Sequence, residues 1–76
     1  MSESPGKILA AARAFLGLTQ RALGERIGVA ELTVSRWELN KSFPQRGLWP
    51  DIERTLKVKM ADVLSGKMPD RLKKVS

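Results

Sequence analysis

An all-α domain of five short helices is what this sequence predicts. Three observations carry that reading. Apolar residues recur at three- and four-residue spacing within short windows. Glycines, prolines and good N-capping residues fall between those windows. No run alternates apolar and polar residues as a half-buried strand does. With 76 residues, the chain has room for one domain, and a domain this small buries only about 60% of its unfolded surface. Short helices with local contacts around one core suit that length. Apolar residues make up 42%, an ordinary globular share that argues against wholesale disorder.

The first helix is expected from Pro5 to Leu16. Ser4 is its N-cap, and proline is at home in the first helical position. Ile8, Leu9, Ala12, Phe15 and Leu16 recur at helical spacing, and Gly17 can close the helix in a left-handed conformation. The second runs from Gln20 to Ile27, with Thr19 as N-cap, Leu23 and Ile27 on one face, and Gly28 ending it. The third runs from Ala30 to Leu39. Val34 and Trp37 share its inward face, and Asn40 stands where a left-handed closing residue is wanted. A loop containing Pro44 and Gly47 follows. The fourth helix spans Trp49 to Leu56, with Ile52 and Leu56 inward. The fifth spans Met60 to Leu64, where Val58, Val63 and Leu64 complete the core. Gly66 and Pro69 then break the pattern. This places a domain over residues 1–66 and a loose basic tail over 67–76, anchored by Met68 and Leu72.

Composition excludes much. The chain holds no cysteine and no histidine. That removes disulfides, thiol chemistry, almost every zinc site and the commonest general base. Asp51, Glu53, Asp62 and Asp70 show no pairing that points to catalysis or a metal. Ser4-Pro5-Gly6-Lys7 matches an S-x-x-K acylation motif only formally, because its companion elements are missing. The expectation is a non-enzymatic protein with no cofactor and no small-molecule ligand. No apolar run approaches the roughly 20 residues of a membrane helix. The N-terminal MSESPGK lacks the pattern of a signal peptide, so a cytoplasmic protein is expected. Fourteen Lys and Arg against eight Asp and Glu give a net charge of +6. Residues 67–76 carry a net +3 and residues 19–47 a net +2, whereas residues 48–66 are neutral. Such a balance points to a polyanion partner, with a merely solvated basic surface as the duller alternative.

The stretch from Thr19 to Asn40 carries the function. Two helices joined by a tight turn must approach closely and cross steeply. Gly24 sits inside the second helix, where glycine costs about 1 kcal/mol against alanine, so a close approach is its use. Gly28 sits at the turn, where positive φ is cheap only for glycine. Val34 fills the space beneath the third helix. With Gln20, these occupy positions 1, 5, 9 and 15 of a twenty-residue unit. Leu23, Ile27, Val29 and Trp37 supply the buried positions around them.

This spacing resembles the helix-turn-helix of the Cro and phage-repressor family, also called the XRE family. The likeness extends to Arg13, to Gly17-Leu18-Thr19-Gln20, and to Val34-Ser35-Arg36-Trp37-Glu38 followed by Lys41 and Pro44. Trp49 to Leu56 and Met60 to Leu64 look like the family's last two helices, so the resemblance covers about residues 7–66. Three positions depart from the pattern. Ala30 replaces the usual Ser or Thr cap, Asn40 a glycine after the third helix, and Lys57 a glycine after the fourth.

The resemblance implies that the third helix enters the major groove of double-stranded DNA. Glu31, Leu32, Thr33, Ser35 and Arg36 would then face base edges. Arg36 suits guanine, whose O6 and N7 accept its fork; Glu31 suits a cytosine amine, or else only the helix start; Leu32 suits a thymine methyl. Thr19, Gln20, Lys41, Ser42 and Arg46 are expected at phosphates, with Gln20 also bracing residue 31. Arg13 and Glu38 would form a bidentate ion pair. Trp37, by its spacing from Val34, belongs to the core rather than to DNA stacking. One reading helix covers few base pairs. A homodimer on a palindromic operator is therefore expected, with half-sites about 34 Å apart and Val58 to Leu72 as the interface. The expected role is a small autoregulatory repressor of a phage or mobile-element operon. The alternatives are an antitoxin that also binds a toxin, and a protein-interaction module that no longer binds DNA.

Overall fold

Helix formation begins where the caps predict it. In the computed structural model, which describes residues 3–73, the Ser4 hydroxyl accepts the Lys7 N–H at 3.2 Å and Pro5 opens α1, Pro5–Phe15. Thr19 accepts the Ala22 N–H at 2.9 Å and opens α2, Gln20–Ile27. The remaining elements are α3, Glu31–Glu38; a 3₁₀ turn, Arg46–Leu48; α4, Trp49–Leu56; α5, Met60–Ser65; and α6, Asp70–Lys73. No strand occurs among the described residues. None of their helices is long and apolar enough to cross a membrane.

The turn between α2 and α3 follows from its two glycines. Gly28 has φ +80°, the left-handed region that lacks a steric penalty only without a Cβ. Gly24 lies against the chain beyond it: a Cβ there would come within 2.5 Å of the Val29 carbonyl oxygen. The Val29 N–H in turn donates to the Gly24 carbonyl at 2.8 Å. Asn40 and Lys57 also adopt positive φ, at 61° and 60°. Both close a helix where a glycine is the commoner choice.

The inward faces meet in one core of Ile8, Leu9, Ala12, Leu23, Ile27, Val34, Trp37, Ile52, Leu56, Val58, Met60, Val63 and Leu72. Three residues expected there are instead exposed: Phe15, Leu16 and Leu64. The apolar spacing of α1 runs on past the part of the helix that its neighbours cover. In α5, Met60 and Val63 already fill the inward face, and Leu64, one residue on, turns away from it by about 100°. Met60 is fully buried, a core position that the helical spacing alone did not single out.

The expected loose tail also differs. Residues 70–73 form α6, and Leu72 is buried in the core. Arg71 caps α4 from a distance in sequence, donating to the Leu56 carbonyl at 3.0 Å and also to that of Lys57. Those carbonyls are among the acceptors left open at a helix end. Glu3 donates its N–H to the Gly66 carbonyl at 3.0 Å, tying the start of the described chain to the end of α5. The rest of the expected tail, residues 74–76, lies outside the described residues.

Candidate nucleic-acid interface

α3 is sorted by face. Val34 and Trp37 are buried beneath it, three residues apart, while Glu31, Leu32 and Arg36 are exposed and Thr33 and Ser35 half-buried. Leu32 stands 62% exposed, as does Leu39 just beyond the other end of α3. At the start of α3, Ala30 offers no side-chain cap, so the first N–H groups of this helix lack that partner. Glu31 supplies the only acidic group of the first turn, and a negative charge there is favoured by the helix dipole.

The opposite end of α3 is held by charge. Arg13 donates from Nε to Glu38 Oε2 at 2.6 Å and from its terminal nitrogen to Oε1 at 3.0 Å. Its other terminal nitrogen donates to the Leu18 carbonyl at 2.7 Å. The Glu38 side chain is only 8% exposed and that of Arg13 18%. The hydrogen bond to Glu38, then its charge, raise the Arg13 pKa above the ordinary value, against the lowering effect of burial.

Gln20 completes this cluster, and its role differs from the expected one. Its Nε2 donates to Glu38 Oε1 at 2.9 Å, and among the described residues no hydrogen bond joins its side chain to residue 31. A carboxylate accepts only, so the group facing it must be the amide nitrogen. Glu38 is nearly buried and gains a third donor this way. Glu31 is solvated and needs none. Thr19, beside Gln20, uses its oxygen as the cap of α2 but keeps a hydroxyl proton to give.

The loop after α3 carries the remaining candidates. Lys41, Ser42 and Arg46 are all exposed. Among the described residues no ion pair engages Arg36, Lys41 or Arg46. Arg46 lies over the ring of Trp49, 5.5 Å from its centroid. Trp49 is itself fixed, donating from Nε1 to the Pro44 carbonyl at 3.0 Å and meeting Phe43 edge to face at 6.2 Å. This platform was not foreseen from the sequence; an aromatic three residues after an arginine was the available signal. Between this loop and α3 runs a groove of about 380 Å³, lined by Val29, Thr33, Trp37, Ser42, Phe43, Gln45 and Leu48.

A helix with one buried and one exposed face, set by a glycine turn and flanked by cations that make no ion pair among the described residues, defines a repressor-like helix-turn-helix domain. Residues 9–63 match the helix-turn-helix family model, and the chain belongs to that family of non-enzymatic DNA-binding domains. Its structure is similar to that of the phage P22 c2 repressor in complex with synthetic operator 9T in the presence of Tl⁺. The two are 26% identical with a TM-score of 0.80, over 86% of this chain and 98% of that one. The solution structure of the P22 c2 repressor DNA-binding domain is 25% identical with a TM-score of 0.78, over 91% of each chain. Bacillus thuringiensis PlcR, solved with the peptide PapR7 and DNA, shares the fold at 23% identity and a TM-score of 0.75. That match takes in 96% of this chain and 26% of PlcR. No curated protein matches the chain.

Proposed function

We propose that this chain is a sequence-specific transcriptional regulator that binds operator DNA through α3. The observation that carries the reading is the exposed face of α3, presenting Glu31, Leu32, Thr33, Ser35 and Arg36 on a helix whose other face is core. Arg36, exposed and free of an ion pair within the described residues, is the guanine reader. Leu32 contacts a thymine methyl. Glu31 accepts from a cytosine amine while stabilising the helix start. Thr19, Lys41, Ser42 and Arg46 hold phosphates and fix the register without reading sequence. Gln20 joins them, since its amide keeps a second N–H beyond the one given to Glu38 and its backbone N–H opens α2, where an anion is favoured.

The protein acts as a homodimer on an inverted repeat, with half-sites about 34 Å apart. Within Val58 to Leu72, most apolar side chains are spent on the core. Leu64 remains exposed, so the dimer contact centres on it. The likeness to the P22 c2 repressor supports repression and, by extension, autoregulation of a phage or mobile-element operon inside the cytoplasm. With Leu72 buried in this chain's own core, an antitoxin role loses its best side chain for holding a toxin.

Selection of bound duplexes from a random DNA pool at physiological salt tests the reading. An enriched inverted repeat establishes specific and dimeric binding together. Binding without enrichment, fading as salt rises, would reduce the protein to phosphate attraction and overturn the reading.

A further inference from the structure

We infer that Asn40 is a positioning residue for the phosphate contacts of Lys41 and Ser42: its side chain clamps the end of α3 to the start of α1 and fixes the course on which the chain leaves the reading helix. This rests on the DNA-binding reading above.

The backbone demand at residue 40 is a positive φ of 61°. Glycine meets that demand without the steric penalty of a Cβ, and asparagine meets it less well. The side chain therefore has a separate use, and the geometry displays it. Asn40 Oδ1 accepts the Gly6 N–H at 2.9 Å, and its Nδ2 donates to the Ser4 hydroxyl oxygen at 3.1 Å. The Gly6 N–H is one of the donors that the first turn of any helix leaves without a partner inside the helix. Ser4 satisfies another, that of Lys7. One residue 34 positions further along the chain thus shares in capping α1.

The approach is as close as chain sterics allow. A Cβ on Gly6 would lie 2.5 Å from the carbonyl oxygens of both Trp37 and Glu38. The first turn of α1 is pressed onto the last turn of α3, with Asn40 locking the two. Immediately beyond, the Lys41 N–H closes back on the Arg36 carbonyl at 2.9 Å. Lys41 and Ser42 then emerge at the surface. Asparagine is also neutral, so it clamps the loop without repelling a phosphate beside it, as an aspartate would.

The test is Asn40→Gly in the full chain, titrated against the selected operator over a range of salt. This variant keeps the left-handed backbone at ease and deletes both side-chain hydrogen bonds. The expected result is a folded protein with a nearly unchanged melting temperature but weaker operator binding. The slope of log affinity against log salt becomes shallower by about one for each phosphate that the loop no longer neutralises. Lys41→Ala, costly in the wild-type chain, costs little more in the Asn40→Gly background, because the two residues act through the same phosphate. Unchanged affinity and slope, or costs that simply add, would overturn the inference and leave the DNA-binding reading standing. A wild-type chain that selects no operator overturns both. Ser4→Ala, which leaves Asn40 in place and removes one side of the clamp, carries the same comparison if Asn40→Gly does not fold.

Discussion

The two ends of α3 are held in opposite ways. At its C-terminal end, Glu38 receives three side-chain donors, from Arg13 twice and from Gln20. Asn40, just beyond, is tied to α1. At its N-terminal end, Ala30 supplies no cap, and the side chains of Glu31 and Leu32 project into solvent. The difference teaches how a small domain divides labour along one helix. The anchored end sets the orientation of the helix, and the free end is left with unengaged groups that a DNA groove can take up. Buried polar contacts give the orientation because they are directional, whereas the apolar packing of Val34 and Trp37 fixes only the distance from the core.

The comparison breaks hardest at the anchored end. Glu38→Ala leaves the partly buried Arg13 guanidinium without its carboxylate. Urea denaturation should show a loss of about 2–3 kcal/mol, the upper range for hydrogen bonds to a charged group. Gly24→Ala attacks the floor of the free end. The added methyl meets the Val29 carbonyl at 2.5 Å, backbone against Cβ, and a loss of about 2 kcal/mol is expected from overpacking, read from the same denaturation curve. Ala30→Ser should act in the other direction. A serine cap stabilises a helix by about 1 kcal/mol, and a thermal melt should move up, since no side chain caps α3. Leu32→Ala should barely alter stability, by less than about 0.5 kcal/mol as for most exposed positions. Its effect belongs in the base preference at one operator position, read by repeating the DNA selection. A large stability loss from Leu32→Ala, or none from Glu38→Ala, would erase the distinction between the two ends.

Much of this was legible in the sequence. The starts of α1 and α2 are written in Ser4-Pro5 and Thr19, and the turn in Gly24 and Gly28, because caps and left-handed turns are local demands met by few residue types. α6 was not legible. It is four residues long with one buried apolar side chain, and it is held by Leu72 in the core and by Arg71 on the carbonyls of α4, both tertiary effects. The periodic stripe of α1 overran for a related reason: spacing shows which face is apolar but not how far along a neighbour covers it.

Within the site, the ion pair of Arg13 with Glu38 was expected only through the family resemblance. Gln20 shows the limit of that route. The fold brings Gln20, at the start of α2, to Glu38, at the end of α3, a pairing that spacing along the sequence does not reveal. The clamp of Asn40 on Gly6 was invisible for the same reason, since the left-handed turn explains an asparagine there well enough without it.

The most direct test of the central claim, that the exposed face of α3 reads sequence, compares Arg36→Ala with Lys41→Ala. Each is titrated against operator and against random duplex at several salt concentrations. The account predicts that Arg36→Ala loses mainly the preference for operator over random DNA, by about 1–3 kcal/mol. Lys41→Ala should weaken both alike and make the salt slope shallower by about one. If Arg36→Ala weakens both duplexes equally and leaves the preference intact, α3 does not read bases through Arg36, and the claim fails.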